Sequence, residues 1–349
     1  MNQHSGTAFD RCTLEEVREA LDYIDSHDRD TWVRMGMAIK SEFGSAGFDV
    51  WDAWGQLAAN YNASASKATW RSIGVSGANA SVRIGTLFKE AMNNGWSARP
   101  AQFTDQERAA REKEWADRRQ LRQQEWAAEE ALVRDWHSRI ATFADEIWSL
   151  LKSSGKSPYL GKKKIKDYGI RFARAALIVV TNEESKTVRL ITGRQNIESF
   201  YKSRDKSLSF LHIKPGVIAV PLRDMAGNLW NIQFIFQAGK KRFLKCGRKS
   251  GLFHVLGNVD TDGPLIFAEG YSSGASVHQA LNHPVVITMD CGNLLTVAEQ
   301  WRERYPDRLF IYAADNDLAT DGNPGLTHAR QAADELGGFV WLANMELTG

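Results

Sequence analysis

The chain has 349 residues, of which 43% are hydrophobic and 25% are charged, and its net charge is +2. This composition is typical of a soluble globular protein with two or three domains, and it excludes disordered, collagenous and disulfide-stapled classes. No segment approaches the roughly 18–20 apolar residues of a membrane-spanning helix, and the first residues lack a signal-peptide pattern, so we expect a cytoplasmic protein with no membrane partner.

The charges are unevenly distributed along the chain. Residues 152–250 contain 22 lysines and arginines against 6 acidic residues, whereas residues 251–349 contain 4 against 13. A basic region followed by an acidic one indicates a polyanion-binding surface beside a cation-binding site. The three cysteines are far apart with no CxxC pair, and the eight histidines show no HxxxH spacing, so zinc is not expected.

Residues 1–98 have the pattern of a small helical domain. Thr13-Leu-Glu-Glu16 resembles a capping box and predicts a helix start. Apolar residues at helical spacing predict further helices around 32–39, 48–54 and 84–92. The tryptophans of this region are expected to form an aromatic core in preference to stacking on nucleic-acid bases. The predicted members of this core are Trp32, Trp51, Trp54, Trp70 and Trp96.

Residues 99–151 are expected to be a long charged linker helix. No glycine or proline interrupts the chain from Thr104 to about Leu151, and acidic and basic residues nearly balance. Such a sequence is typical of a solvated helix.

Residues 152–260 change to a basic α+β pattern. Apolar runs at 177–180, 217–220 and 229–236 predict strands, and the turn at 223–228 predicts a hairpin. Basic loops lie between these runs, and the stretch at 239–249 contains six cations and no acidic residue.

In residues 261–349, strands alternate with helices. Strands are predicted at 264–268, 284–290, 308–314 and 338–343, with helices at 275–281, 294–305 and 326–336. This alternation predicts a parallel sheet with helices on both faces. The fold class is therefore α+β and multidomain, with a C-terminal α/β domain.

Acidic residues follow the strands of this predicted sheet. Glu269 ends the first strand, and Asp315 and Asp317 end the third. Ligand sites in parallel sheets form at the carboxyl ends of the strands, and carboxylate oxygens suit Mg²⁺ or Mn²⁺. We therefore predict a metal site at Glu269, Asp315 and Asp317. Asp290, at the end of the second strand, is either a further ligand or a helix cap.

At these residues the chain resembles a known family. Ala268-Glu-Gly-Tyr271, followed by Ala314-Asp-Asn-Asp-Leu-Ala319, resembles the Toprim domain of bacterial-type primases, topoisomerases and some nucleases. The flanks of these motifs are similar to plasmid conjugative and phage primases of the TraC type. The N-terminal stretches Arg29-Asp-Thr-Trp-Val33 and Trp51-Asp-Ala-Trp54 resemble the PriCT helical module.

The resemblance implies template-directed nucleotidyl transfer that depends on Mg²⁺ or Mn²⁺. Glu269 would be the general acid/base or a metal ligand, and Asp315 and Asp317 would hold the metal. The cations before the Toprim motif would contact nucleic acid and triphosphates. An earlier lysine cluster is either a solvated turn or a further contact, because the charge of residues 152–250 is so one-sided. These cations are Lys240, Lys241, Arg242, Lys245, Arg248 and Lys249, together with Lys162, Lys163 and Lys164.

The chain departs from the replicative primases at two places. Those enzymes usually have an aspartate four residues after the motif glutamate, where this chain has Ser273, and a further acidic pair after the last strand, where it has only Glu346. Either a ligand is missing or the chain is a fragment of a longer protein. A zinc ribbon is also missing, and the helical module is a candidate to replace its grip on the template.

The sequence thus predicts a DNA primase from a mobile element that makes short RNA primers on single-stranded DNA from nucleoside triphosphates. A replicative helicase is a further candidate partner. Two alternatives stay open at this point. One is a Toprim nuclease, which cleaves DNA with metal alone, and the other is a non-catalytic nucleic-acid-binding or helicase-loading subunit.

Overall fold

The computed structural model describes most of the chain. The described residues are 12–73, 82–97, 104–182, 187–203, 208–315 and 322–342. The predicted metal ligand Asp317 and the residue Glu346 lie outside these ranges. The chain divides into two compact units, Met1–Leu132 and Val133–Gly349.

Short helices make up most of the first unit. They are α1 (Leu14–Leu21), α2 (Arg29–Phe43), α3 (Phe48–Gly55), α4 (Ala63–Ser72) and α5 (Ile84–Asn93). The predicted capping box is present: the Thr13 hydroxyl accepts a hydrogen bond from the Glu16 amide at 3.2 Å, and the Glu16 carboxylate accepts one from the Thr13 amide at 2.7 Å. The hydrophobic pattern does not predict α4, because its only large apolar side chain is Trp70 and a single residue shows no period.

The five tryptophans predicted for the core of this unit lie in it or pack against it. Trp51 is fully buried and stacks on Trp32 with 4.3 Å between the ring centroids. Trp54, Trp70 and Trp96 are also buried in the same cluster. Their large apolar area stabilises helices that are too short to be stable alone.

One helix, α6 (Asp105–Leu150), occupies the stretch without glycine or proline. Much of it is exposed, but Arg118 and Arg122 form ion pairs with Glu42 of α2 at 3.2 and 3.0 Å. Glu42 is 6% exposed. Burial raises the pKa of this carboxyl, and the two guanidinium groups only partly offset that effect. These charges are therefore structural rather than simply solvated, and the role of α6 as a domain linker stays a prediction.

Two antiparallel sheets form the first part of the second unit. Their strands are β1 (Arg171–Phe172), β2 (Leu177–Asn182), β3 (Thr187–Thr192), β4 (Ser209–Ile213), β5 (Ile218–Arg223), β6 (Leu229–Ile235) and β7 (Lys241–Phe243). One sheet has the order β1-β5-β6-β7 and the other β3-β2-β4. Helices α7 (Pro158–Lys163) and α8 (Arg194–Ser203) accompany them. This confirms the predicted mixture of helices and strands.

The predicted hairpin between β5 and β6 is also confirmed. The two strands pair antiparallel, and Asp224 lies in the turn between them. Its carboxylate accepts hydrogen bonds from the amides of Ala226 at 3.0 Å and Asn228 at 2.9 Å. An aspartate that binds the following amides is a common way to fix a turn.

The third sheet contains β8 (His254–Leu256), β9 (Leu265–Ala268), β10 (Val285–Ile287), β11 (Phe310–Ala314) and β12 (Phe339–Leu342). The order is β12-β11-β9-β10-β8. The last four strands in the chain are parallel, as predicted, whereas β8 pairs antiparallel with β10 as an edge strand. The sequence does not predict β8, because three residues are too few to show an alternation.

Helices cover both faces of this sheet. They are α9 (Tyr271–Leu281), α10 (Leu294–Arg304) and α11 (Pro324–Leu336). Side chains of α9 pack with Ala268 and Ile287 on one face, and side chains of α10 and α11 pack with Phe267 and Phe310 on the other. Strand β9 is buried throughout because both of its faces are covered.

The predicted domain boundaries at 98, 151 and 260 stay predictions. The division between the two compact units falls inside α6, after Leu132. Strand β8, which precedes the predicted boundary at 260, is hydrogen-bonded into the same sheet as β9–β12. In the part of the chain that the structure describes, no helix has the length and apolar character to cross a membrane.

His254 on β8 is a buried base whose protonation affects stability. It is 6% exposed, and its ring Nε2 lies 2.8 Å from the carbonyl oxygen of Tyr168. Burial lowers the pKa of His254 to about 4, an effect that the Tyr168 carbonyl opposes and the nearby Arg223 strengthens. Between pH 6.5 and 4 the unfolded chain therefore binds a proton at this residue that the folded chain does not bind.

We predict that His254 reduces the stability of the protein as the pH falls from 6.5 to 4, by about 3 kcal/mol in total. Urea unfolding at several pH values, compared with His254→Phe, measures this contribution. The wild-type protein should lose stability relative to the variant only within that window. Equal pH dependence of the two proteins would show that His254 is not buried in its neutral form.

Candidate active site

The topology of the third sheet creates a crevice between β9 and β11. These strands are parallel neighbours, with Ala268 opposite Ala313. The chain leaves β9 into α9 on one face and leaves β11 toward α11 on the other, so β9 and β11 form a topological switch point. Ligands bind at such points, beyond the carboxyl ends of the strands.

Two of the predicted acidic residues meet in this crevice. Glu269 directly follows β9, and Asp315 directly follows β11. Both line one small pocket, together with Thr288 and Cys291 from the loop that follows β10. Leu294 of α10 and the start of α11 also line it. The structure therefore brings Glu269 and Asp315 together.

Local contacts fix the position of Asp315. The Ser273 hydroxyl, in the first turn of α9, donates a hydrogen bond to its Oδ1 at 3.0 Å. At Gly325, in the first turn of α11, a β-carbon would lie only 2.6 Å from the Asp315 carbonyl oxygen. Glycine at this position therefore lets α11 approach the backbone of Asp315 closely.

Ser273 stands at the position where replicative primases usually have an aspartate. It gives Asp315 a hydrogen-bond donor in place of a third negative charge. The sequence shows that the carboxylate is missing, but the contact that replaces it depends on the approach of α9 to β11.

Asp290 has the position of a helix cap. Its Oδ1 accepts a hydrogen bond from the Asn293 amide at 3.0 Å, at the start of a short 3₁₀ turn. The next residue, Cys291, lines the pocket. Burial raises the pKa of Cys291, and the negative charges of Glu269 and Asp290 raise it further. A metal-binding role for Asp290 stays a prediction.

A lysine lies beside the acidic pocket. A β-carbon at Gly270 would lie 3.2 Å from the Nζ of Lys241, the first residue of β7. Gly270 follows Glu269 and is the N-cap of α9. Lys241 therefore lies next to the residue that follows Glu269, and its contact with an anionic substrate stays a prediction.

The other cations predicted at 240–249 lie before, on and after β7. Lys240, Arg242, Lys245 and Lys249 are exposed. Arg248 lies over the Trp230 ring, 5.2 Å from its centroid, and Lys249 lies 5.3 Å from the centroid of the Phe243 ring. Aromatic side chains thus hold two of the cations in place.

A buried asparagine shapes the loop that carries these cations. Asn231 of β6 is fully buried, and its side chain bonds the backbone of Leu244 and Arg248. A β-carbon at Gly247 would lie 2.5 Å from this amide. Asn231 is not among the residues predicted from the sequence, because nothing in an apolar strand pattern distinguishes a buried amide from an exposed one.

The lysine cluster at 162–164 lies at the end of α7 and is exposed. The Gln279 side chain of α9 donates to the Lys164 carbonyl oxygen at 3.3 Å. The fully buried Tyr271 hydroxyl accepts from the Tyr168 amide at 2.8 Å and donates to the Lys166 carbonyl oxygen at 3.1 Å. Tyr271 is therefore a core residue, and it anchors the basic segment to α9.

The three-carboxylate set predicted from the sequence is only partly described. Asp317 lies outside the described residues. Within the described ranges there is no group of three or more histidine, cysteine, aspartate or glutamate side chains that could hold a metal ion. Glu269 and Asp315 are thus a described pair, and the place of Asp317 beside them stays a prediction.

We predict that Ser273→Asp destabilises the protein in metal-free buffer by about 1 kcal/mol, because a new carboxylate would face Asp315. Urea unfolding measures the change, with Ser276→Asp as the control. Ser276 lies on the same helix and is exposed, so a charge there should have little effect. Equal effects of the two substitutions would contradict the contact between Ser273 and Asp315.

The N-terminal helices match a known family model. Residues 17–91 match the model described as Primase C terminal 2, PriCT-2. The chain is also 41% and 38% identical, over 126 residues, to two proteins named DNA primase TraC from Escherichia coli. These matches cover 34% of this chain but only 12% and 9% of the relatives.

Solved primase structures are similar at a lower level. A DNA primase domain from Pseudomonas aeruginosa is 15% identical, with a TM-score of 0.37 over 58% of this chain and 70% of that one. The DnaG primase catalytic domain bound to single-stranded DNA gives the same identity and TM-score over 61% and 73%. A TM-score of this size does not establish a shared fold.

The comparisons confirm the resemblance to the PriCT module and to DNA primases of the TraC type. The chain carries a PriCT-2 region in its helical N-terminal part and is similar, over 34% of its length, to DNA primases of the TraC type.

Proposed function

We propose that the chain is a DNA primase that synthesises short RNA primers on single-stranded DNA, in the replication of a plasmid or phage. The observation that carries this proposal is the placement of Glu269 and Asp315 in one pocket, with Lys241 beside it. An acidic site next to a cation is what the transfer of a nucleotide from a triphosphate requires.

We also propose that residues 261–349 are a Toprim domain. The supporting features are the order of the motifs and their positions. Glu269-Gly270 follows a buried parallel strand, Asp315 follows the neighbouring parallel strand, and the two strands form a switch point. These features are what a catalytic metal domain of this type needs, because they gather carboxylates from separated parts of the sequence.

The donor atoms of the pocket fit Mg²⁺ or Mn²⁺. Mg²⁺ is commonly held by one or two carboxylates together with substrate phosphates and water. Glu269 and Asp315 would supply the carboxylates, and Asp317 is a further proposed ligand. When bound, such an ion offsets the charge of the triphosphate and favours ionisation of the primer 3′-hydroxyl.

The residues of the chain have distinct proposed roles around that ion. Ser273 holds the Asp315 carboxylate in one orientation through its hydrogen bond. Glu269 would accept the proton of the attacking hydroxyl or contribute to metal binding. Lys241 would bind a phosphate of the incoming nucleotide, since its ammonium group lies beside Gly270.

The exposed cations would bind the template strand. Lys162, Lys163 and Lys164 are held near α9, and the β7 loop presents its cations from the same unit. Both groups carry positive charge with no acidic residue among them. Contacts to phosphates of this kind give an affinity that falls with salt concentration. A replicative helicase is a further proposed partner of the whole protein.

We predict that Glu269→Gln and Asp315→Asn each lower primer synthesis by at least about a hundredfold, because each removes a carboxylate charge where the reaction develops charge. The assay contains a single-stranded template, labelled nucleoside triphosphates and Mg²⁺. Both variants should still bind the template, and omission of Mg²⁺ should stop the wild-type reaction.

The matched control is Asp262→Asn. Asp262 is exposed and precedes β9, so it lies at the opposite end of the strand from Glu269. The same assay separates the alternatives. New oligomers indicate a primase, a shortened template indicates a Toprim nuclease, and neither product indicates a non-catalytic binding subunit. Full activity of Asp315→Asn would refute the proposed site.

We predict that replacing Lys162, Lys163 and Lys164 by glutamine weakens single-strand binding and makes its salt dependence less steep. The slope of log K against log salt should fall by roughly 0.7 for each phosphate that the variant no longer neutralises. Fluorescence anisotropy of a labelled strand over a salt series measures it. The triple arginine variant keeps the charge and should keep the slope. An unchanged slope in the glutamine variant would remove this cluster from the binding surface.

A further inference from the structure

A second cavity lies in the same unit as the active-site pocket. Its volume is about 380 Å³, and it is bounded by the β5–β6 turn, the start of β8 and the end of α10. Among the described residues it shares no lining residue with the pocket of Glu269 and Asp315. A volume of this size is within the range of small-molecule sites, roughly 300–1,000 Å³.

Aromatic side chains form much of the cavity wall. Trp148, Phe253 and Trp301 line it. The rings of Phe253 and Trp301 pack edge to face, with 5.2 Å between their centroids. Flat apolar walls of this kind favour a ligand with a planar ring system.

Two residues of this wall carry a polar ring atom whose hydrogen-bonding capacity is not used within the described part of the chain. Trp301 is 3% exposed, and its Nε1 donor has no hydrogen-bond partner among the described residues. Buried polar groups are rarely left unpaired. His254 bonds the Tyr168 carbonyl through Nε2, so this nitrogen carries the ring proton and Nδ1 is left as an acceptor. The residues of the wall thus carry one donor and one acceptor without a described partner.

The charged groups of the cavity are mainly positive. Arg223 and Arg304 both line it. Its one acidic residue among those described, Asp224, already accepts hydrogen bonds from the amides of Ala226 and Asn228 and, through Oδ2, from the Trp230 indole at 2.8 Å. Arg304 is exposed, and its guanidinium group lies over the Tyr305 ring, 5.6 Å from the centroid. An anionic ligand would therefore find at least one guanidinium group available.

We propose that this cavity binds a nucleoside phosphate at a site separate from the active-site pocket. The base lies against Phe253 and Trp301, where its polar edge meets the Trp301 donor and the His254 acceptor, and the phosphate binds Arg304. A nucleoside phosphate combines a planar ring, hydrogen-bonding edges and a negative charge. The ligand is either a free nucleotide or one unit of a bound strand, and the proposal holds whether or not the chain makes primers.

The test uses the full chain carrying Asp315→Asn, in EDTA, so that the active-site pocket and its metal do not contribute. Isothermal titration measures the binding of ATP and, separately, of a short adenine strand without terminal phosphates. We expect Arg304→Ala to weaken binding about tenfold, as the loss of a charged hydrogen bond does, and Trp301→Phe to weaken it about fivefold. Trp301→Phe keeps a ring and removes only the indole donor and some area.

Arg330→Ala is the matched control, because Arg330 is an exposed arginine of the same unit on α11 and does not line the cavity. The affinity of this variant for each probe should equal that of the parent protein, which carries Asp315→Asn alone. An effect on ATP identifies a free-nucleotide site, and an effect on the strand alone identifies a contact for single-stranded nucleic acid. If neither probe binds, or if binding of both is the same in all variants, the proposal is wrong. Circular dichroism confirms that each variant is folded.

Discussion

The site depends on one constraint of parallel sheets: the residues that follow the strands all lie at the same edge of the sheet. Because β9 and β11 are neighbours and their helices depart to opposite faces, the edge opens between them. Glu269 and Asp315 are 46 positions apart in the numbering, yet each needs only to follow its strand to reach this opening. Apolar packing on both faces holds β9 in position, and the positions of the strands determine where the carboxylates lie.

Placing two carboxylates in one small pocket creates a repulsion that the structure must balance. Ser273 donates a hydrogen bond to Asp315, and Lys241 brings a positive charge beside Gly270. Two carboxylates in one pocket suit the proposed divalent cation, and the exposed lysines and arginines of the same unit suit the proposed nucleic acid.

Much of this arrangement is predictable because it follows from local rules. The alternation of strands and helices after residue 261 predicts parallel pairing, and parallel pairing predicts that Glu269 and Asp315 meet. What escapes prediction depends on contacts between distant segments. Strand β8 is too short to have a pattern of its own, and the role of Asn231 depends on the loop that folds over it. The cavity beside Trp301 lies where the β5–β6 turn, the start of β8 and the end of α10 meet.

The hydrogen bonds of the Tyr271 hydroxyl link two distant segments of the chain. The hydroxyl binds the backbone at Lys166 and Tyr168, and its own residue lies two positions after Glu269. These hydrogen bonds couple the backbone at 166–168 to the first turn of α9, so that a displacement of one would shift the other. Under the proposed function, in which the neighbouring lysines bind the template, Tyr271 would thus link template binding to the position of Glu269.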